Sequence, residues 1–407
     1  MSEKTIKKIP NVPNLRFPEF TGSWLKRRFY DIADFYKGSG ISKDQLSLEG
    51  IECILYGELY TTYKTETINE IKSKTNIDTN GLFFGKKNDV IIPASGETPI
   101  DIATACCVCK DNVLFGGDLN IIRLKTDNGS FISCQLNGKR KIDIAKIAQG
   151  ASIVHLHNND LKKLYLYTPT DLREQIKIVE LFSLIDNRIN TQNKIIKDLR
   201  FLKKILMEHI LNSFDFEELS LKDIIQQNYA RIIKPSELKP FAGTKQYLST
   251  SSIGEDGIEQ IEQTITYDNR PSRASMLPIK NSIWFAKMKN SIKVYQSTGE
   301  DEHNYVLSTG FYGILCNDMK VNPIWIFETF KSAYFNNQKD RFSEGSSMSG
   351  IKDNQLSDIR IKLFLNKDDE KSCSEILSFL SKKIEIEIKL SEKYKEQKKF
   401  LLSNMFI

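Results

Sequence analysis

Three observations predict an α+β chain in which two globular mixed α/β domains alternate with two long helices as an internal pseudo-two-fold repeat. The chain matches itself at one constant offset of 195 residues. A long stretch free of Pro and Gly carries apolar residues at coiled-coil spacing, and the pattern returns more weakly at the end. The parts in front of each stretch break into short strand-like runs separated by Gly, Asn, Ser and Asp turns.

The repeat comes first, because missing it misreads the whole fold. GASIVHLHNNDLKKLYL (150–166) lines up with GSSMSGIKDNQLSDIRI (345–361). Gly150 pairs with Gly345, Ser152 with Ser347, Asn159 with Asn354, Leu161 with Leu356 and Leu164 with Ile359. Without a gap, Leu181 then meets Ile376, Ile185 meets Leu380, Ile189 meets Ile384, and Lys203-Lys204 meet Lys398-Lys399. The upstream parts are far less alike. Faint echoes remain in Tyr30-Asp31-Ile32 against Lys222-Asp223-Ile224, and in KNDVIIPA (87–94) against KNSIWFAK (280–287). Variable, similar, variable, similar is the organisation of one scaffold presenting two different surfaces. The expected divisions are an opening segment 1–19, globular parts 20–168 and 214–365, and helices 169–213 and 366–407.

Residues 171–212 read as one helix, capped by Thr170, with Asp171 and Glu174 favourably placed in its first turn. Leu181, Ile185, Ile189, Gln192, Ile196, Leu199, Lys203, Leu206 and Ile210 step by four and three, the spacing of a coiled-coil seam. The second copy, 372–405, offers Ile376, Leu380, Ile384, Tyr394, Leu401 and Met405. Each helix is mostly polar outside its stripe, so the two are expected to pack on each other. A helix of about 41 residues is roughly 60 Å long, more than one duplex turn of about 34–36 Å. An antiparallel pair of such helices makes a rigid spacer; a plain dimerisation coiled coil is the simpler alternative.

The strand-like runs of the globular parts are IECILYGELY (51–60), DVIIPA (89–94), LNIIRL (119–124), SIWFAK (282–287) and FYGILC (311–316). Aromatic and basic residues interleave around them, as in YARIIKPSELK (229–239) and AKMKNSIKVYQ (286–296). Lys and Arg neutralise phosphates, while Asn, Gln, Ser and Arg read base edges. Lys86, Lys87, Lys287, Lys289 and Lys293 are therefore phosphate candidates. Tyr56, Ser95, Thr98, Tyr247 and Ser249, at turns or strand ends, are groove candidates.

Composition narrows the class. The net charge of +6, from 58 basic and 52 acidic side chains, favours a polyanionic partner only mildly. No run of 18 uncharged apolar residues exists, and no apolar segment follows the early lysines, so a cytoplasmic protein without a membrane span is expected. Seven scattered cysteines suit reduced thiols. Catalytic signatures fall short. Asn322-Pro323-Ile324-Trp325 lacks the second Pro of an adenine methyltransferase motif, and Gly81 to Lys87 lacks the spacing of a phosphate loop. Glu70-Ile-Lys72 and Glu387-Ile-Lys389 lack a partner aspartate. Cys106 and Cys109 have no second pair for a structural zinc, and His155, His157, His209 and His303 form no ligand cluster. No catalytic residue, metal site or cofactor is expected in this chain.

The opening VPNLRFPEFTGSW (12–24) resembles a segment common among specificity subunits of Type I restriction–modification enzymes of Gram-positive bacteria. DLRFLKKILMEHIL (198–211) and YKEQKKFLLSNMF (394–406) look like that family's two conserved-region termini. ILYGELY (54–60) and SGETPIDIATACCVCKDNVLFGGDLNIIRLK (95–125) are similar to strand-and-turn blocks of its target recognition domain, whereas SSIGEDGIEQIEQ (251–263) departs from the pattern. The resemblance covers essentially the whole chain. It implies two α/β target recognition domains, each reading one half-site of double-stranded DNA, separated by two antiparallel helices as a coiled-coil spacer. It also implies docking of two DNA adenine methyltransferase subunits and an ATP-dependent restriction/translocase subunit. S-adenosylmethionine, ATP and Mg2+ would belong to those partners. A non-catalytic coiled-coil scaffold and an anti-restriction decoy are the alternatives.

Overall fold

The computed structural model describes residues 11–150, 153–343 and 350–407. Ser152, Gly345 and Ser347 of the sequence repeat, and the first ten residues of the opening segment, lie outside them. The chain divides into two compact units, Met1–Gln192 with Leu390–Ile407, and Asn193–Lys389. Among the described residues no helix is long and apolar enough to cross a membrane.

In the first unit, one sheet runs in the order Ala33–Lys37, Leu119–Leu124, Val90–Pro93, Cys106–Val108, Thr67–Ile68. A second runs Leu46–Ser47, Ser73–Thr75, Ile51–Ile54, Val113–Phe115, Phe84–Gly85. The second unit repeats both with fewer strands. Its sheets run Ala230–Ile232, Phe311–Cys316, Ser282–Ala286, Val294–Gln296 and Gln263–Ile265, Lys245–Leu248, Tyr305–Ser308, Ala274–Met276. Even the strand senses agree. Ile51–Ile54 is parallel to Val113–Phe115, as Lys245–Leu248 is to Tyr305–Ser308, and the flanking pairs are antiparallel in both units. A separate antiparallel pair stands in each, Leu25–Arg28 with Tyr165–Thr168 and Phe216–Ser220 with Arg360–Phe364.

The faint sequence echoes mark equivalent structure. Asn88 and Asn281 both take left-handed backbone, at φ 78° and 65°, just before the central strands Val90–Pro93 and Ser282–Ala286. Asn tolerates that region better than most residues, which explains why the KN pair survives where its surroundings diverge. Phe29–Ile32 and Leu221–Gln226 are likewise short helices directly after the first strand of each unit. The run 51–60 is shorter than read: the strand ends at Ile54, and Leu59–Tyr63 coils into a helical turn.

The long helices are Leu172–Ser213 and Lys367–Asn404. Asp171, rather than Thr170, covers the first start, accepting from Arg173 N at 2.9 Å. Glu174 lies in the first turn as expected and is also a buried anchor, accepting from Arg16 at 2.7 and 2.8 Å and from Trp24 Nε1 at 3.2 Å. That gives the opening segment VPNLRFPEFTGSW a structural role. Both of its anchors close on the first turn of the helix.

Within each unit the helices run antiparallel. In the first, Phe182 stacks on Phe406 with ring centroids 6.1 Å apart, Asp186 meets Lys398, and Arg188 lies over Tyr394. In the second, Lys203 meets Ser381, and Met207, Ile210 and Leu211 share a core with Cys373 and Leu377. Of the seam residues, Ile185, Gln192, Ile196, Leu380 and Ile384 are buried; Leu181, Ile189, Leu199, Leu206, Tyr394 and Leu401 are partly so. Ile376 is corrected, because it is 50% exposed and Leu377 takes its place. Steps of four and four from Ile376 to Ile384 drift about 80° round a helix, whereas the steps of three and four from Leu377 through Leu380 return at Ile384 to within about 20° of the start.

Candidate nucleic-acid interface

Most of the sequence candidates, but not Lys86, Lys87 or Tyr247, fall into equivalent connections of the two units. In the first, Tyr56 follows Ile51–Ile54, and Ser95 and Thr98 follow Val90–Pro93. Tyr56 and Asp101 both act electrostatically on Tyr60, whose hydroxyl burial pushes its pKa up. Ser95 is buried, its backbone pairing with His155. Thr98 is exposed and caps Pro99–Ile102, accepting from Asp101 N at 3.1 Å. His155 and His157 stand exposed on alternate positions, their rings parallel and 6.3 Å apart.

In the second unit, Ser249 follows Lys245–Leu248, and Lys287, Lys289 and Lys293 lie between Ser282–Ala286 and Val294–Gln296. Gly310 joins these connections: Lys287 N donates to its carbonyl at 2.9 Å, and a Cβ on it would come within 3.1 Å of Thr250. Met288 bridges to Gly350 where Ser95–Gly96 pairs with Val154–His155 in the first unit. Lys339 shapes the hairpin from inside, donating to the Met288 and Ser291 carbonyls at 3.1 and 2.6 Å. Lys289 is exposed, Lys293 half-buried, and burial pushes the Lys287 ammonium pKa down beside the Tyr312 ring. Ser249 bonds Glu262 and Ser251. Tyr247 is core, packed with Leu238, Ile265, Ala274 and Val306, because inward side chains alternate along its strand.

Lys86 and Lys87 are exposed but stand before Val90–Pro93, at the opposite end of that strand from Ser95 and Thr98. Beside that end lies a cluster sequence reasoning missed. The Arg123 guanidinium sits 5.3 Å from the Tyr36 ring and 5.2 Å from Phe83, and is paired with Asp89 at 2.7 and 2.9 Å. These residues lie on separate runs, so no local pattern could have joined them.

The catalytic near-motifs have structural duties. Asn322 caps the helix Pro323–Lys331, accepting from Ile324 N at 3.0 Å, while its own N–H donates to Glu370. Gly85 lies in a strand paired with Val113, and Glu387 is buried on the second long helix, paired with Lys383. Cys106 is buried. Cys109 is half-buried, and a hydrogen bond with Cys107 pulls its thiol pKa down.

The long helices also show apolar side chains that no internal packing covers. Leu184, Ile195 and Ile205 are exposed on the first; Phe379, Leu390 and Phe400 are exposed on the second. Each of the second set stands 195 residues after one of the first. Spacings of 11 and 10 residues keep three positions within one side of a helix. Only burial picks them out, since in sequence they blend into the seam.

No family model matches the chain, and no curated protein matches it in sequence. The crystal structure of the Type I restriction–modification system S subunit from M. genitalium is similar, with a TM-score of 0.58 at 16% identity over 97% of this chain and 99% of that one. A structure from work on complex assembly and conformational transition of the type I R-M system gives 0.55 at 12% identity, over 93% and 96%. The chain has the fold of a Type I restriction–modification S subunit.

Proposed function

We propose that the chain is a non-catalytic, DNA-reading specificity subunit of a Type I restriction–modification complex. The observation that carries this reading is the duplication itself. Two globular parts share one strand order but carry different surface residues, and both are built on the same two long helices. Such a molecule reads two different half-sites. Phosphate contacts fix register, and base-edge contacts give specificity. Lys86, Lys87, Lys289 and Lys293 are proposed for phosphates. Lys287 is proposed for phosphates as well; Tyr56, Thr98 and Ser249 are proposed for the groove, Ser95 and Tyr247 being buried.

The apolar positions repeated at 195 residues support two copies of one partner, a DNA adenine methyltransferase subunit on each helix face. Adenine methylation requires flipping the base into that partner. A restriction/translocase subunit completes the assembly. The test maps methylated adenines in a genome carrying the chain with its methyltransferase. A bipartite site is expected, and replacing residues 214–365 by a relative's domain should change one half-site only. Loss of both half-sites together, in a folded chimera, would reject modular reading.

A further inference from the structure

Lys203 and Lys398 hold the same place in the internal repeat, and both are largely withdrawn from solvent, with 13% and 12% of the side chain exposed. Each grips the other long helix and the globular part of its own unit at once. In the first unit, Lys398 Nζ lies 2.6 Å from Asp186 Oδ1 on the first helix and pairs with Glu66 from the globular part. In the second, Lys203 Nζ lies 2.7 Å from Ser381 Oγ on the second helix and 2.7 Å from Glu328. Ser381 also donates to Glu328 at 3.1 Å, closing the triad. Asp186 and Ser381 are themselves 195 residues apart.

The carboxylates are not equivalent. Glu328 lies on Pro323–Lys331, and the matching residue of Gly129–Asn137 is Cys134. Glu66 comes from the edge of a strand, Thr67–Ile68, that has no counterpart among the described residues of the second unit. Two unrelated places in the globular parts therefore send a carboxylate to equivalent lysines. An apolar residue would fill the seam as well, as Ile196 and Ile384 do, because a buried ion pair adds little net stability over good apolar packing. What an ion pair adds is direction: the ammonium must meet its partners or remain unsatisfied.

We propose that Lys203 and Lys398 are positioning residues, each fixing its globular part against the paired helices so that its reading edge is held in one orientation. This rests on the DNA-reading function proposed above. The test uses the full chain with its methyltransferase partner and the variants Glu66→Gln, Glu328→Gln and Lys398→Met. Methylation mapping should show unchanged half-sites joined by a spread of spacer lengths instead of one. Lys398→Arg should restore the single length. Amide exchange at Thr67–Ile68 should quicken by at least about tenfold in Glu66→Gln, because the strand then loses its ionic tie to Lys398 while Asp186 remains that lysine's partner. A folded Glu66→Gln with the wild-type spacer and wild-type exchange overturns the proposal, and it decides the matter if Lys398→Met does not fold. A wild-type chain that directs no bipartite methylation defeats the DNA-reading function instead, and exchange still tests the clamp.

Discussion

Leu184 and Phe379 stand 195 residues apart, one on each long helix, and each is 67% exposed. On the function proposed above, large apolar side chains left in water at repeated positions are where the two partner copies dock. Leu184→Asp should cost the docking of one partner copy about 2 kcal/mol, roughly thirtyfold in affinity, and Phe379→Asp should do the same for the other. Light scattering of the reconstituted complex reads the stoichiometry. Single variants are expected to hold one tight methyltransferase copy and the double variant neither. Two tight copies in the double variant would remove these faces from the interface.

The cysteines allow a chemical check. Burial pushes the Cys53 thiol to about 11 and Cys316 to about 12, and it raises Cys106, Cys134 and Cys373 as well. Cys107 is also raised, chiefly through its hydrogen bond with Cys109. Cys109 moves the other way, held down by Cys107, with help from Ser130 and Lys87. Thiolate is the reactive form, so a short iodoacetamide pulse at neutral pH should modify Cys109 first. Lys87→Ala should slow it. Peptide mass spectrometry that finds another cysteine alkylated first would contradict this environment.

Much of this was legible in the sequence, and the limits have physical causes. The helix, its 3–4 seam and the offset of 195 followed from periodicity, which depends only on spacing along one element. The shared strand order of the globular parts did not, because their cores are rebuilt with different residues; only the left-handed Asn88 and Asn281 constrained the text. Lys203 read as an exception in the seam because its partner Glu328 lies 125 residues away. Tyr247 was misplaced for a related reason, since alternation in a four-residue strand leaves the inward face undetermined.

The clamp of the first unit should leave a signature in stability against pH. Burial raises the Asp186 carboxyl above its usual 3.8, despite the pull of Lys398. Its native form therefore binds protons more readily than the unfolded chain, so its contribution is fullest below 3.8 and is lost as pH rises through the raised value. Lys398 is desolvated, but Glu66 and Asp186 more than offset this and raise its pKa above 10.5. That contribution is complete below 10.5 and disappears as pH rises past the folded value. Urea unfolding over a pH series should show Asp186→Asn less sensitive than wild type just above pH 3.8. Lys398→Met should flatten the alkaline limb. Parallel curves for all three chains would remove these groups from the linkage.

The last prediction concerns distance between half-sites. Each long helix passes from one compact unit into the other, the first after Gln192 and the second before Leu390. Insertions at the helix end near Asn212 would miss the point, because Met207, Ile210 and Leu211 already belong to the core of the second unit. Whole heptads placed after Gln192 and after Lys389 together keep both seams in phase. One heptad adds roughly 10 Å at 1.5 Å per residue, about three base pairs along a duplex. Three base pairs also turn the DNA by more than a quarter of a revolution, so one edge would face the wrong side and bipartite methylation should collapse. Three heptads add roughly 32 Å, close to a full duplex turn of about 34–36 Å. Both half-site sequences should then return, separated by roughly nine more base pairs. Methylated-adenine mapping compares the two insertions with wild type. An unchanged spacer in the three-heptad variant, or normal methylation with one heptad, would show that the helices do not measure the distance.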